Sequence, residues 1–518
     1  MRKRLLALLA TVALLATACS FDETGDQGTS EQADKQFDIA IGIEPDTFDP
    51  AGNTTTTVGN IVDYALETLT RLDSDGKLQP GLASSWESST DGLTATLKLR
   101  TGVRFHDGTP FNAQAVKFTL DRVLDPAVAV PTRSAFKPIS KVDAVDDSTV
   151  RITLSRPYVP LFDALSTTAA AIVSPASIDK QGNTYKKIER PVGTGPYTFD
   201  AYKKGDRVTF QRYADYWGEK PYYETVVFRI VPEAASRESL LLAGQADLIV
   251  LPPISDVEKL DTGKTKVLLA PSDRSIFVQV KTPKITDVRV RQALNYAVDK
   301  QAMIKTLLFG AADVLDSPMS NKLNGYCRTG SYDYDPAKAK ALLQQAGVSS
   351  LTVTMGTPTG RYLQDKEVAE SISNYLREVG VTVKVETMDW SSYVAQVSAP
   401  LQKQKFDLQL LGWAPQFLDA SFQMQQFDSS NHPPAGLASS FYRNPQVDAL
   451  VKQAAVEADK AKRDKLYCDA SKIIWDDAPW IFLWTQKFPI AYSRSVENIS
   501  SLPTEKFSAI YARPVGKK

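Results

Sequence analysis

Three short patterns in this chain carry residue types that nucleophilic or acid–base chemistry requires. Ser134-Ala-Phe-Lys137 and Ser177-Ile-Asp-Lys180 each set a hydroxyl three residues before an amine, the arrangement by which a lysine activates a serine. Asp261-Thr-Gly263 has the form of half an aspartic-protease site. None of these is complete. The serines lack a Lys-Thr-Gly or Ser-Asp-Asn companion, and a second Asp-Thr-Gly, needed for two carboxylates to share a proton, does not occur. A Gly-x-Ser-x-Gly elbow, a His-Glu-x-x-His helix and a Walker loop are equally missing. His106, in Phe105-His-Asp-Gly108, reads as a structural imidazole bonded to nearby backbone. With only His106 and His432 in the chain, most zinc, copper and nickel sites and most Ser-His-Asp hydrolases are excluded. An exported serine hydrolase working through Ser134 and Lys137 stays as the enzymatic alternative.

Other residues suit recognition without bond-making. Trp390, Trp413, Trp475, Trp480 and Trp484 are five of the seven tryptophans and lie in the C-terminal half, where flat side chains can wall a ligand cleft or fill a core. Arg361 follows Thr357-Pro-Thr-Gly360, a loop after a strand, where a guanidinium can grip a carboxylate through two parallel bonds or simply face water. Lys+Arg and Asp+Glu number 60 each, so there is no basic field to gather phosphates, which argues against nucleic acid.

The elements that must position these side chains are legible as alternating strands and helices. Period-two strands begin at Phe37 and recur at Leu93–Leu99, Thr149–Leu154, Arg207–Arg212 and Val226–Val231. Others are expected at Leu351–Met355, Val381–Thr387 and Phe406–Leu411. Asp335-Pro336 opens a helix that stops at Gly347, and Asp287 caps another with apolar positions out to Leu308. Glu367–Val379 and Val447–Trp475 complete the set. Strands alternating with helices predict α/β lobes with largely parallel pairing. A chain of 518 residues is too long for one core, so at least two lobes are expected.

Met1-Arg-Lys-Arg, the apolar run Leu5–Leu15 and Ala16-Thr-Ala-Cys19 match a secretory leader, too short to span a bilayer that needs about 20 helical residues. Cys19 directly after Ala-Thr-Ala resembles a lipobox, with Ala16 where leucine is usual; residues 1–18 would be removed and Cys19 acylated. Residues 19–36 read as a flexible polar tether. Cys327 and Cys468 then remain, as a disulfide or as two thiols.

The run Leu99-Arg-Thr-Gly-Val-Arg-Phe-His-Asp-Gly-Thr-Pro-Phe-Asn-Ala-Gln-Ala-Val-Lys-Phe-Thr-Leu-Asp-Arg122 resembles the signature of extracellular solute-binding proteins of the oligopeptide, dipeptide and nickel class, which serve ABC importers. Further landmarks follow in order: Pro45-Asp-Thr-Phe-Asp-Pro50, Pro80–Trp86, Gly193-Thr-Gly-Pro-Tyr197, Tyr216-Trp-Gly218, Asp287–Leu294 and Phe406–Trp413. The resemblance implies a two-lobed α/β periplasmic-binding-protein-like fold, hinged, with an extra α/β subdomain inserted in lobe I. Lobe I would take residues 37–77, 190–272 and 496–518, the inserted subdomain 78–189, and lobe II 273–495. The resemblance implies binding and hinge closure without covalent chemistry, and no cofactor is expected.

By the same resemblance, Trp390 and Trp413 would be cleft tryptophans and Trp484 a further cleft candidate, beside Arg361 from its loop. Peptide binders carry an aspartate three residues beyond the second tryptophan to pair with the ligand's α-ammonium. Here Gln416 stands there and cannot supply the charge; Asp419 is the nearest substitute. The function expected is a monomeric receptor, lipid-anchored on the outer face of the cytoplasmic membrane. It would capture a solute by hinge closure and deliver it to an ABC permease and its ATPase. An oligopeptide is the first expectation; an oligosaccharide or other uncharged polar solute, for which Gln416 would be a hydrogen-bond partner, is the alternative. A sensory or adhesive lipoprotein that kept the fold without a transporter is the remaining class.

Overall fold

The computed structural model describes residues 35–52, 56–128, 130–415 and 417–517. Residues 19–34, with Cys19, and Gln416 lie outside the described residues; Gln36, expected as the end of the tether, already opens a strand paired with Thr225. Two large sheets organise the molecule. The first runs, edge to edge, Thr265–Ala270, Phe488–Ser493, Leu248–Val250, Gln36–Ile41, Thr225–Ile230, Arg207–Arg212 and Tyr197–Lys203. The second runs Ala312–Val314, Trp480–Gln486, Ser275–Val280, Leu408–Trp413, Leu351–Pro358 and Val381–Met388. A four-stranded antiparallel sheet, Ala83–Ser88, Thr94–Leu99, Thr149–Leu154 and Ile139–Asp146, packs with helix Ala113–Leu124 around its own apolar core. Each large sheet has a separate core as well, which makes two lobes and an inserted subdomain.

The strand positions agree with the sequence periodicity, but the pairing does not. Parallel neighbours occur only on either side of Gln36–Ile41 and of Leu351–Pro358; the other described pairs are antiparallel. Hairpins such as Tyr197–Lys203 with Arg207–Arg212, and strands returning from one sheet to the other, both reverse direction, which a count of strand–helix alternation cannot register. Lobe II was expected to run to residue 495, yet Phe488–Ser493 pairs with Thr265–Ala270 and Leu248–Val250 in the first sheet. The crossing is therefore at Lys487. Two long helices are split: Val288–Tyr296 is followed by Lys300–Thr306, and Pro445–Ala454 by Lys460–Asp477. In each case an aspartate in non-helical backbone caps the second helix, Asp299 accepting from Ala302 N and Asp459 from Lys462 N.

The sequence landmarks are structural clamps. Asp49, in Pro45–Pro50, and Arg122, at the end of helix Ala113–Leu124, form a buried pair through both guanidinium nitrogens, and Asp49 also accepts from Ile188 N at 3.1 Å. Gly193 and Gly195 lie against the backbone of Tyr64 and Ala65, where an added Cβ would come within 2.3 Å and 2.7 Å of backbone atoms. Glu67 accepts from Thr194, Tyr216 and Trp217, tying two landmarks to one carboxylate. Cys327 and Cys468 are bonded, their Cα atoms 5.4 Å apart.

His106 is held by the same glycine motif: its Nδ1 accepts from Gly193 N at 3.4 Å and its Nε2 faces Gly195 O at 2.9 Å. Accepting at Nδ1 leaves the proton on Nε2, so the ring is neutral, and burial pushes its pKa from 6.5 down to about 4. As pH falls, the unfolded chain takes up this proton first, so stability is lost between about pH 6.5 and about pH 4. At 1.36 kcal/mol per pH unit the loss amounts to roughly 3 kcal/mol. In denaturant unfolding at pH 7 and pH 4, His106→Gln should shrink the acid loss by about that amount; an unchanged loss would contradict the buried neutral ring.

Candidate functional site

The chain passes between the lobes twice. Pro271–Arg274 joins Thr265–Ala270 of the first sheet to Ser275–Val280 of the second, and Lys487 joins Trp480–Gln486 to Phe488–Ser493. The two crossings are bonded, Gln486 N donating to Arg274 O at 2.9 Å. A third segment, from the turn between Ser500–Ser501 and Phe507–Ser508, lies against them. Asp273 N donates to Pro503 O at 2.7 Å. The Glu505 carboxylate accepts from Ser272 Oγ at 2.9 Å, from Arg274 Nε at 2.8 Å and from Arg274 Nη2. This Arg274–Glu505 pair is buried, and the cation holds Glu505 below the usual carboxylate range despite its burial. Glu505 itself has φ 59°, a left-handed conformation unusual for a non-glycine residue and maintained by its surroundings.

Arg361 approaches the crossings from lobe II. Its loop is fixed by Asp365, which accepts from Gly360 N, Arg361 N and Tyr362 N at 3.1, 2.7 and 3.1 Å. Gln486 of the second crossing strand accepts from Leu363 N at 3.3 Å. Tyr362 packs over Gly412, where a Cβ would meet the ring at 2.6 Å, and its hydroxyl donates to Gly412 O. Glycine is therefore required on that strand for the loop to lie down. The Arg361 guanidinium sits 5.0 Å from the Trp390 ring centroid and 5.4 Å from that of Tyr362. Burial and the like charge of Arg274 lower its pKa. Among the described residues no carboxylate lies within ion-pair distance of Arg361. Trp390, the first residue of helix Trp390–Val397, is 38% exposed, and the Tyr393 hydroxyl below it bonds Gly356 O and Leu410 O.

Trp413 ends strand Leu408–Trp413 and stacks on Phe422, ring centroids 5.5 Å apart. Its indole N–H is buried with no acceptor among the described residues. Phe417 and Phe422 belong to the inserted subdomain's core although they follow a lobe II strand, and Leu418 touches Gly76, so the lobes are in contact along this edge. A cavity of about 210 Å³ at the C-terminal turn is lined by Glu67, Thr68, Arg71, Thr504 and Lys506 among others.

Two expected cleft residues are elsewhere. Trp484 is 1% exposed and packs in the lobe II core, between Ile276 and Val314 on adjacent strands, so it reaches no ligand. A strand buried on both faces hides which aromatic points outward. Asp419 is buried in a two-bond pair with Arg463, at 2.6 and 2.7 Å, and caps helix Ala420–Met424. Its charge is consumed there and cannot meet an ammonium. It instead faces Asp163 of the inserted subdomain, whose carboxyl is pushed up to about 7 by burial first and by Asp419 second. Arg361, Trp390 and Trp413 lie on lobe II around the crossings. The sequence reading missed Arg274, Glu505, Tyr362 and Asp365. Asp365 had a readable signal, an acid at the start of a helix following a Thr-Gly loop; the Arg274–Glu505 pairing, 231 residues apart, had none.

Removing one partner of a buried pair strands the other charge, at a cost of about 3–5 kcal/mol. Glu505→Ala should lower unfolding stability by that order, and the joint Arg274→Met, Glu505→Leu change should recover most of it. Equal losses in the single and joint variants would contradict the pairing.

A family model described as "Bacterial extracellular solute-binding proteins, family 5 Middle" matches residues 77–434. The chain is 35% identical over 483 residues to the glutathione-binding protein GsiB of Pectobacterium atrosepticum, covering 92% of this chain and 93% of that one. Its fold is similar to the ABC transporter-associated periplasmic binding protein DppA of Helicobacter pylori, solved with the peptide STSA, at 26% identity and TM-score 0.79 over 94% of this chain and 99% of that one. It is similar also to the ABC transporter substrate-binding protein CtaP of Listeria monocytogenes, at 26% identity and TM-score 0.83 over 92% and 99%.

Proposed function

We propose that this chain, which belongs to the bacterial extracellular solute-binding proteins of family 5, is the receptor of an ABC importer and captures a small peptide with a free carboxylate. It is a binding protein and not an enzyme. Its work is closure: contacts made to both lobes favour the closed arrangement over the open one, and the two crossings are the segments about which the lobes turn. The observation that carries the ligand class is Arg361, a half-buried guanidinium without an acidic partner among the described residues, laid on the exposed face of Trp390 beside the hinge. Such a cation has already lost most of its water and is pre-oriented, so a carboxylate meets it at little further cost. The relative's name makes reduced glutathione the first peptide to test. Cys19 would carry the lipid that keeps the receptor beside its permease, with residues 20–34 as the leash.

Titration calorimetry with reduced glutathione and simple dipeptides should give saturable one-to-one binding. A charge-assisted bidentate contact contributes about 1.5–3 kcal/mol, so Arg361→Ala should weaken affinity roughly ten- to a hundredfold, and Trp390→Ala by less. Binding of an oligosaccharide with no response to any peptide would overturn the peptide reading. Peptide binding untouched by Arg361→Ala would overturn the role of that residue.

A further inference from the structure

We propose that Asp273, with the hydroxyls of Ser275 and Thr504, is the subsite for the ligand's ammonium group, at the hinge crossing. The inference rests on the peptide reading above and names the second pole of that ligand. Asp273 is 0% exposed, and neither carboxylate oxygen has a hydrogen-bond partner on any other described residue. The adjacent cation does not serve it, because Arg274 is committed to Glu505 through Nε and Nη2. Two further side chains at the same place share this condition. Ser275, two residues along the crossing, and Thr504 both have buried hydroxyls without a partner among the described residues. Asp273 N is bonded to the carbonyl oxygen of Pro503, the residue before Thr504, and Thr504 lines the 210 Å³ cavity.

A buried acid left in this condition is costly, and its oxygens and the two hydroxyls of Ser275 and Thr504 are acceptors awaiting donors. A primary ammonium has three N–H donors and a full positive charge, matching one carboxylate and two hydroxyl oxygens. Charge balance points the same way. The hinge holds Asp273 and Glu505 against Arg274 and Arg361; a zwitterion that places its carboxylate on Arg361 and its ammonium on Asp273 leaves every charge paired. Without a cation, burial and the nearby Glu505 push the Asp273 carboxyl well above the usual range, so the acid is poised to ionise when one arrives. The subsite supplies the counter-charge that Asp419, locked to Arg463, does not.

The experiment compares reduced glutathione with its N-acetylated form, which keeps both carboxylates and loses the ammonium. By calorimetry the wild-type chain should bind the acetylated form at least tenfold more weakly. Asp273→Asn, with its melting temperature measured without ligand as a folding control, should lose affinity for glutathione and bind the two forms within about twofold. Equal wild-type affinity for both peptides overturns this inference and leaves the peptide reading intact. Discrimination that survives in a folded Asp273→Asn chain likewise overturns it. If the wild-type chain binds neither these peptides nor free dipeptides, the peptide reading falls and takes the inference with it.

Discussion

The buried contact of Arg274 with Glu505 is the constraint on which the rest of the molecule depends. It ties the first crossing to the C-terminal segment of the first lobe, and it does so where the chain must be rigid enough to position a site and free enough to turn. Such a pair contributes little net stability once the loss of water from both charges is counted. Its value is in geometry. With Arg274 occupied, its neighbour Asp273 stays without a partner among the described residues, and the Arg361 guanidinium meets the like charge of Arg274, which lowers its pKa.

The lobes bring different things to this point. The second lobe brings the pre-oriented cation on a loop fastened by Asp365 and laid over Gly412, together with the exposed Trp390 face. The first lobe brings the C-terminal turn with Glu505 and Thr504, and the Glu67 clamp that holds the glycine motif and Tyr216-Trp217 together. The inserted subdomain meets the far edge of the second lobe through Phe417 and Phe422, so its packing is sensitive to how closely the lobes approach. On the proposed reading, recognition and closure are the same event, made of contacts that neither lobe completes alone.

Much of this was legible in the residues. Strand positions followed from period-two alternation, and helix starts from Asp and Asn caps such as Asp335 and Asn112, both of which accept from the first-turn amides. The signature through Arg122 identified the fold because it is a set of clamps, and clamps recur wherever the fold does. The site was less legible. Trp484 looked like a cleft residue because the resemblance places cleft aromatics near it, and a strand buried on both faces does not say which way the side chain points. Asp419 looked available because its partner Arg463 lies 44 residues away on another helix. Parallel pairing was misjudged because strands that cross between lobes reverse direction without a hairpin signal. Glu505 and Asp273 carry no local pattern at all; their roles exist only once three distant segments meet.

The central claim is that a peptide draws the two lobes together about the crossings at Pro271–Arg274 and Lys487. Small-angle X-ray scattering on the purified chain, with and without saturating reduced glutathione, tests it most directly. The account predicts a smaller radius of gyration with the peptide, and a smaller decrease with Arg361→Ala at the same peptide concentration. An unchanged radius in the wild-type chain under conditions where calorimetry shows the peptide fully bound would contradict it.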